Sequence, residues 1–543
     1  MRKILLFVLL MFVAATHFKV DKSREMEYHS DNIGFSSKVI LIPLDSRPAC
    51  SDFLIDAGRI AGIEVIMPPS KLLDYFTIPG EADNIRKWLI NEAPVADAII
   101  ISIDQLISGG LIASREHDLT DEDIDNIIND LIELRETVPN IPIYVFNILP
   151  RTQPQSSIEN YQQRRALVAY SQLIGRTNAG LVADDEAIFE ALNEVTSENL
   201  NAYLGKFKQC EQLSKRLITL TQAGILNRLV IGIDDGETFS IQNKILDNLS
   251  KFAYYSFHTE MVSFAHGADE IALTLLAEIV RRDKSRPLNV CVLYNNPETA
   301  STTLPFMAVT IESVVQEKLT QLRCQIVDTP KSADFTLYIS VNDNLQDRHN
   351  LRKIKAESVE YISQLIEDGY KVALVDLGTH FDKEETILPL LINSSIPINS
   401  LIAYSGWNTA SNSIGIALSQ SLIAIDSDNL IDNLTFLNQR FLEDEFYLKD
   451  GIDTVNHALT KSGSYDNSYL DYGTEFEFAT FVMRTVMSKK IADYKCSKSF
   501  ELPVDFSGRK FCLKDFNVNI SYPWPRTFEV RLKINNLTLS QVK

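Results

Sequence analysis

The stretch LVIGIDDGETF, residues 229–239, indicates how this chain folds and where its chemistry lies. Four of its first five residues are apolar, a composition typical of a strand buried on both faces of a parallel sheet. The run then ends in two adjacent acids, Asp234 and Asp235, followed by Gly236. The stretch therefore predicts a buried strand whose C-terminal end presents two carboxylates.

Apolar runs of this kind recur along the chain and alternate with helical patterns, which predicts parallel strands joined by helical crossovers. A first series has runs at 38–45, 62–69, 96–104, 142–150, 228–235 and 261–270, with a helical insert at about 157–225. A second series has runs at 288–296, 333–343, 370–378 and 400–408. The last part of the chain alternates apolar and polar residues and therefore predicts antiparallel β structure.

These patterns predict an α/β protein, and its 543 residues suffice for two or three domains. We expect a parallel (β/α) barrel-like domain at 38–286 and a Rossmann-like α/β domain at 287–430, divided at Arg286-Pro287. A short C-terminal helical and antiparallel β segment at 431–543 follows. Six runs in the first series fit either a barrel with two unrecognised strands or a complete open sheet, and the barrel-like form is our prediction.

The N-terminus MRKILLFVLLMFVAATHFKV has the three parts of an export signal. Arg2 and Lys3 are basic, the run from Ile4 to Val13 is apolar, and small residues precede a cleavage point near Thr16. We therefore predict a signal peptide at 1–15 and a periplasmic or extracellular mature protein. An uncleaved anchor is the alternative, and no other stretch approaches the roughly 20 apolar residues of a membrane span.

Composition narrows the range of partners. Acids outnumber bases 72 to 52, a formal net charge of -20, which repels nucleic acid and anionic membranes. We expect a small-molecule or carbohydrate substrate, neutral or cationic, and no nucleic-acid or membrane partner. The six cysteines lack CxxC spacing, which indicates neither a zinc ribbon nor a dense disulfide framework, and Cys496 with Cys512 is the pair most readily bridged. The function that we favour requires no metal and no cofactor.

Acidic residues stand at the C-terminal ends of four of the six runs in the first series. They are Asp45, Asp104, Asp234, Asp235, Asp269 and Glu270. Parallel strands end at one edge of a sheet or barrel, and active sites are built at that edge. A helix cap explains a single acid such as Asp269 equally well. Two adjacent acids at 234–235 exceed what one cap needs.

Basic, aromatic and amide side chains accompany these acids, the last in YSGWNTASNSIGIALSQSL at 404–422. The predicted substrate-binding residues are Asp45, Arg47, Asp104, Arg115, Arg151, His266, Trp407, Asn408 and Asn412. For Arg47 we favour pairing with a buried carboxylate, which keeps that acid ionised. Helix capping and close packing of small residues are the alternative for 404–422.

Five motifs in order resemble an uncharacterised bacterial family, domain of unknown function 4127 (DUF4127), over about 38–530. They are ILIPLDSRP, SIDQLISGGLIASR, LVIGIDDGETF, GADEIALTLLA and AYSGWNTASNSIGIALSQ. The resemblance implies no particular chemistry. Where the family pattern has LDDRP and QDDA, this chain has Ser46, Ile233 and Gly236, so Ser46 is not expected to be an essential acid. Locally, HGADE at 266–270 is similar to the His-Gly-Asp-Glu region of β-hexosaminidases.

Two classes of function fit these residues. The first is an exported hydrolase acting on glycosidic bonds, with Asp234, Asp235, Asp269 and Glu270 as catalytic carboxylates and Glu270 as the general acid. The second is an exported, non-catalytic binding protein that closes on a polar or sugar ligand. A weaker third hypothesis is a metal-dependent hydrolase with oxygen and nitrogen ligands from Asp234, Asp235, His266, Asp376 and His380.

Overall fold

The computed structural model describes residues 34–255 and 260–542, so the predicted signal peptide lies outside the described residues. The strands are β1 (Ser37–Ile42), β2 (Ile63–Ile66), β3 (Ala98–Ser102), β4 (Ile143–Leu149), β5 (Arg228–Ile233), β6 (Val262–His266), β7 (Asn289–Tyr294), β8 (Gln325–Ile326), β9 (Phe335–Asn342), β10 (Val372–Gly378), β11 (Ala403–Ser405), β12 (Val504–Phe506), β13 (Arg509–Ser521) and β14 (Arg531–Val542).

The α-helices are α1 (Asp52–Ala61), α2 (Ala82–Glu92), α3 (Ile103–Ser108), α4 (Leu111–Glu116), α5 (Asp121–Thr137), α6 (Tyr161–Asn178), α7 (Asp185–Asn193), α8 (Ser197–Gln222), α9 (Ile241–Tyr254), α10 (Ile271–Arg281), α11 (Ile311–Gln321), α12 (Arg348–Glu367), α13 (Leu388–Ile392), α14 (Ala410–Ala424), α15 (Leu430–Arg440), α16 (Ile452–Ser462) and α17 (Glu475–Lys495). A π-helix at Phe441–Gly451 joins α15 to α16.

The first sheet is parallel and has the strand order β2-β1-β3-β4-β5-β6. Its central strands are buried along their whole length, as the apolar runs predict: every residue of β3 and β5 is buried. Isoleucine and valine dominate these strands because their branched side chains pack well against both faces of a pleated sheet. Helices α6 to α8 lie between β4 and β5 in the chain.

This sheet is open, and the predicted barrel is wrong. Within the described residues, β2 and β6 are the two edge strands and are not hydrogen-bonded to each other. From β1 the chain moves outward to β2, then returns to place β3 on the other side of β1. That reversal is typical of doubly wound sheets, whereas a barrel requires its first and last strands to pair.

The second sheet is also parallel, with the order β11-β10-β9-β7-β8. Counted from β7, this is the order 2-1-3-4-5, which the first sheet shares over its first five strands. The parallel α/β character predicted for this region is therefore confirmed. The strand order differs from the 3-2-1-4-5-6 order of the dinucleotide-binding Rossmann fold, so the Rossmann-like label applies only in the broad sense.

A third, antiparallel sheet of β12, β13 and β14 confirms the β structure predicted near the C-terminus. Its apolar residues face a core shared with the second sheet and the helices around it. Cys512 lies in β13 and Cys496 follows α17, and both are free thiols, as are the other cysteines. Cys496 and Cys512, the pair that the sequence made the most readily bridged, are therefore not bridged.

Helix α14 connects the two parallel sheets. It packs on β10 and β11 and also against α10 and α1 of the first sheet. Every residue from Ala410 to Ile423 is buried. One hydrophobic core includes side chains from both sheets, such as Leu41 and Leu337, together with Ile271 of α10 and Ile414 of α14. Each fully buried aliphatic side chain of this kind contributes about 1.5–3 kcal/mol. The division at 287 remains a prediction.

Candidate active site

The predicted acids gather at the C-terminal edge of the first sheet. Asp45 follows β1, Asp104 lies in the first turn of α3 after β3, and the pairs at 234–235 and 269–270 follow β5 and β6. The charges of Asp45 and Asp234 both act on the carboxyl of Asp269, so these groups are electrostatic neighbours. The strand ends converge because all the strands of this sheet run in the same direction.

Arg47 joins two of these acids. Its Nε and Nη2 donate to Asp45 Oδ2 at 2.9 and 2.6 Å, and Nη2 also donates to Asp269 Oδ1. The pairing predicted for Arg47 is therefore confirmed. Arg47 is only 6% exposed, and its guanidinium carbon lies 5.2 Å from the centre of the Trp524 ring. Both carboxylates are buried, so removing this cation would leave two buried negative charges unpaired.

Asp269 links the first sheet to the second. Its Oδ2 accepts a hydrogen bond from Asn412 Nδ2 of α14 at 3.2 Å, while Cys50 Sγ lies 3.5 Å from Oδ1. Burial raises the pKa of Asp269 to about 6, although the charge of Arg47 opposes that rise. Asp269 is not the cap of α10, because the N-cap position belongs to Glu270, whose side chain makes no capping bond.

Asp45, Cys50 and Asp269 offer three ligand atoms within 4.8 Å of one another. The guanidinium of Arg47 already bonds to both carboxylates and supplies positive charge there. A metal ion would have to displace this buried side chain.

The side chain of Glu270 is completely buried. Its Oε1 accepts from Lys318 Nζ at 2.5 Å, and both side chains are 0% exposed. Glycines stand close on two sides, since a Cβ atom on Gly267 or Gly415 would lie 2.1 or 2.4 Å from Glu270 atoms. A general acid must contact the substrate, and the observed geometry instead makes Glu270 part of an internal ion pair between the start of α10 and α11.

Asp234 and Asp235 have different surroundings despite being adjacent. Asp234 forms an ion pair with Arg115, and its side chain is 12% exposed. Asp235 Oδ2 lies 3.6 Å from Arg151 Nη1, and these two side chains are 28% and 30% exposed. Burial and the charge of Asp234 raise the pKa of Asp235 to about 6, while Arg115 and Arg151 act in the opposite direction.

The backbone at Asp235 is strained. Its φ of 41° lies in the left-handed region, which residues other than glycine occupy infrequently. Such conformations cost of order 1–3 kcal/mol and are found more often at functional sites than elsewhere.

A cleft of about 1530 Å³ opens beside Asp235. Its walls are the loop from Asp235 to Phe239, parts of α6 and α7 with the connection between them, and the segment 303–307 that precedes α11. Asp184 also lines it, and its side chain accepts from Ala187 N at 3.0 Å as an ordinary helix cap. Of the six predicted acids, Asp235 is the one that lines this cleft.

A much smaller cavity of about 60 Å³ lies on the other side of these ion pairs, lined by Asp104, Arg115, Arg151 and Asp234. Asp104 accepts a hydrogen bond from the backbone N–H of Ile148 at 3.1 Å. Burial raises the pKa of Asp104 to about 6. Arg115 and Asp234 thus line only the small cavity, whereas the second pair reaches both spaces, with Arg151 on the small cavity and Asp235 on the large cleft.

Two other predicted contact residues, His266 and Trp407, are internal. His266 Nδ1 lies 2.8 Å from Glu317 Oε2, and both the ring and its backbone N–H bond to this one carboxylate. Trp407 is 1% exposed and donates through Nε1 to Glu443 Oε1 at 3.1 Å. Asn408 has a left-handed φ of 53° at the turn before α14. The start of α14 therefore faces Asp269 and buried side chains, and Trp407 offers no ring face to a sugar.

Several residues of the site had no sequence signal that identified them. Asp74, in the loop after β2, accepts from the backbone N–H of Ser46 at 2.9 Å, and burial together with the charge of Asp45 raises its pKa to about 8. Trp524 donates through Nε1 to Ser46 Oγ at 3.0 Å. Ser46, which replaces an acid of the family pattern, thus anchors the C-terminal segment. The one clue in the sequence was Trp524 itself, which lies in the distinctive stretch YPWPRTFE at residues 522–529.

The metal ligands of the third hypothesis are not brought together in the described part of the chain. Asp376 accepts backbone N–H groups of Ile387 and Leu388 at 2.9–3.0 Å. His380 does lie near Asp343 and Glu385, with ligand atoms within 4.8 Å of one another. The Glu385 carboxylate, however, already accepts from the His380 ring and from backbone N–H groups.

The fold and this edge define an α/β protein of two parallel sheets with an aspartate–arginine site beside a large cleft. The chain belongs to the family described as protein of unknown function (DUF4127), whose model matches residues 39–533. The comparisons with curated proteins and with solved structures gave no match. In the portion of the chain described, no helix has both the length and the apolar composition needed to cross a bilayer.

Proposed function

We propose that this protein is an exported hydrolase that uses Asp235 for acid/base catalysis, with a glycosidic bond as the favoured substrate bond. The observation that carries the proposal is the setting of Asp235. It is partly exposed at the wall of a large cleft, beside a second carboxylate, with its pKa raised to about 6. A strongly shifted pKa in a cleft is a recognised property of acid/base residues.

The chemistry follows from the neighbours of Asp235. Near pH 6 this side chain exists in both protonation states, as a group that donates and accepts a proton must. Asp234 is the second carboxylate of the pair, and Arg115 and Arg151 orient the two acids. Glycoside hydrolysis needs two carboxylates with different tasks. The proposal therefore gives the donor role to Asp235 rather than to Glu270, which is buried against Lys318.

The direct test compares wild type with Asp235→Asn on a panel of aryl glycosides. We expect the substitution to lower kcat by about 10² to 10⁴, the usual share of one general acid. Because a donor must be protonated, the wild-type rate should fall as the pH rises through about 6. Asp185→Asn is the matched control, since Asp185 lines the same cleft and begins α7. Unchanged turnover in Asp235→Asn would contradict the assignment.

A non-catalytic binding protein is the second candidate. It is favoured by the number of site acids held in ion pairs, since Asp45, Asp234, Asp269 and Glu270 each bond to an arginine or lysine. Such pairs fix a site rigidly, which suits ligand binding, and they occupy four carboxylates that proton transfer would need free. Saturable sugar binding by wild type without any hydrolysis product would establish this second function in place of the first.

A further inference from the structure

The cleft beside Asp235 receives walls from both parallel sheets. Asp235 follows β5 of the first sheet, whereas the segment 303–307 lies between β7 and α11 and Thr379 follows β10. The two sides touch, because a Cβ atom on Gly236 would lie 3.1 Å from Ala308 Cβ. The volume of about 1530 Å³ exceeds the roughly 300–1,000 Å³ of sites for drug-sized ligands, so the cleft has room for several sugar units.

Phe306 presents an aromatic ring on the wall that the second sheet supplies. This residue lines the cleft and is 56% exposed, although phenylalanine is among the residues most often buried. Its neighbours Leu304 and Met307 are 6% and 4% exposed and belong to the core that includes side chains from both sheets. Met307 N also donates to Leu304 O at 3.2 Å. The exposed ring is therefore carried by a turn that is fixed on both sides.

The backbone at Phe306 supports a role for this ring in binding. Its φ of 65° lies in the left-handed region, where a bulky residue other than glycine is an outlier. Such a conformation is unfavourable and persists only where the surrounding structure enforces it, often at ligand sites. Asp235, on the other wall, has the same kind of conformation.

The charged residues of the cleft are mostly acidic. Five acids and one base, Arg176, are among the described residues that line it. The guanidinium carbon of Arg176 lies 5.6 Å from the centre of the Phe239 ring. Arg151 pairs with Asp235 but lines the small cavity, and even with its charge included the acids outnumber the bases. The cleft therefore attracts a cationic ligand and repels an anionic sugar.

Glu237 is well placed to bind such a cation. It lies two residues after Asp235, lines the cleft and is partly exposed. Its Oε2 accepts from Gln172 Nε2 at 2.5 Å, which orients the carboxylate. Within the described residues Glu237 forms no ion pair, so its charge is open to a ligand.

We propose that the substrate of this cleft is a glycoside of an amino sugar with a free, protonated amino group. Phe306 contacts the apolar face of a sugar ring, and Glu237 binds the ammonium group through a charge-assisted hydrogen bond. An aromatic ring and a carboxylate suit this ligand together, because a pyranose offers a face of C–H groups and the ammonium group is a cation. The inference rests on the hydrolase function proposed above and names its substrate class.

The experiment is titration calorimetry of the full chain at pH 6 with three trisaccharides: glucosamine trisaccharide, its N-acetylated form and cellotriose. The three differ only in the group at C2 of each ring, and Asp235→Asn is used so that no probe is consumed. The glucosamine trisaccharide should bind about fivefold more tightly than the other two at low salt. High salt should reduce this preference by screening. Equal affinities, a preference for either neutral probe, or no saturable binding would overturn the proposal.

Phe306→Ala tests the aromatic contact. It should weaken every probe that binds by about threefold to tenfold, because each offers the same ring face. The exposed position of Phe306 makes loss of folding no concern. Phe189→Ala is the matched control, since Phe189 is 65% exposed on α7 and does not line the cleft. Equal effects of the two substitutions would reject the contact with Phe306.

Glu237→Gln tests the contact with the ammonium group. It keeps the shape of the side chain and an acceptor for Gln172. It should weaken binding of the glucosamine trisaccharide by about threefold to fivefold and leave cellotriose unchanged. Glu190→Gln is the control, because Glu190 is an exposed acid of α7 that does not line the cleft. Equal losses in the two variants would show general electrostatic attraction only and would reject the contact.

Binding and turnover together separate this inference from the hydrolase proposal. Wild type that binds the glucosamine trisaccharide selectively but releases no shorter product would reject the hydrolase and retain the ligand class. Wild type that hydrolyses cellotriose or the N-acetylated trisaccharide in preference to the glucosamine trisaccharide would retain the hydrolase and reject the inference.

Discussion

At the residue scale, the acids of the first sheet differ in what surrounds them. Asp45 and Asp269 share the guanidinium of Arg47, and Asp234 has Arg115. Burying a lone carboxylate costs several kcal/mol, so these three acids are accompanied by cations, whereas Asp104 accepts the backbone N–H of Ile148. Asp235 is more exposed and its arginine is more distant, at 3.6 Å. It is therefore the acid that is best placed to exchange a proton with a substrate.

Asp74 yields a prediction about stability and pH. Its folded-state pKa of about 8 lies above the value of about 3.9 in an unfolded chain. The stability that this group contributes is fully present below about pH 4 and is lost as the pH rises through about 8. Asp74→Asn removes this titration. Its free energy of unfolding in urea, relative to that of wild type, should therefore increase by about 2–4 kcal/mol between pH 5 and pH 8.

The control for this measurement is Asp185→Asn, which removes one negative charge from an exposed position. Its difference from wild type should vary little over the same pH interval. A constant difference between Asp74→Asn and wild type at both pH values would contradict the raised pKa.

At the element scale, the π-helix and α14 each carry several buried polar side chains. The π-helix carries Glu443 and Asp444, which both bond to Arg440, and Glu443 also accepts from Trp407. π-Helical turns are rare and occur often at functional sites. The same segment carries Glu445, whose Oε1 accepts from Thr386 Oγ1 at 2.9 Å. Helix α14 connects the two parallel sheets, because its Asn412 donates a hydrogen bond to Asp269.

Gly415 of α14 tests how closely the sheets are packed. A Cβ atom there would lie 2.4 Å from Glu270 Cγ. Because neither the helix nor the buried Glu270–Lys318 pair can readily move, Gly415→Ala should destabilise the protein by about 1–3 kcal/mol. Gly205→Ala in α8 is the control, as no atom lies within 4 Å of its added methyl group. It should raise the thermal unfolding temperature slightly, because alanine favours helix over glycine.

Equal effects of the two alanine substitutions on thermal unfolding would show that α14 has room at Gly415. That result would contradict the tight contact between α10 and α14.

At the scale of the whole molecule, two parallel sheets of matching strand order both supply walls of the cleft at Asp235. The N-terminal segment before β1 predicts the cellular location of the protein. The basic, apolar and small-residue segments at 1–15 support export. N-terminal sequencing of the protein secreted by its host should show a mature chain beginning near Thr16. Intact Met1 on protein recovered from the cytoplasm would contradict it.

The sequence by itself determined the elements and the edge at which the acids meet. A strand such as β5 can be recognised from its sequence because a strand buried on both faces needs apolar side chains throughout. The acids after β1, β5 and β6 could be assigned to one edge because parallel strands share their direction. The same local patterns identified the family that the whole-chain match confirms.

Only the tertiary structure decided which acids are available. Closure of the first sheet depends on whether β2 and β6 pair, and an apolar run looks the same in a barrel and in an open sheet. Glu270 is internal because Lys318, 48 residues away, meets it in the core. Arg47 is covered by Trp524 from the far end of the chain. Spacing along a chain records local periodicity, whereas these contacts join residues that come together only when the sheets and helices pack.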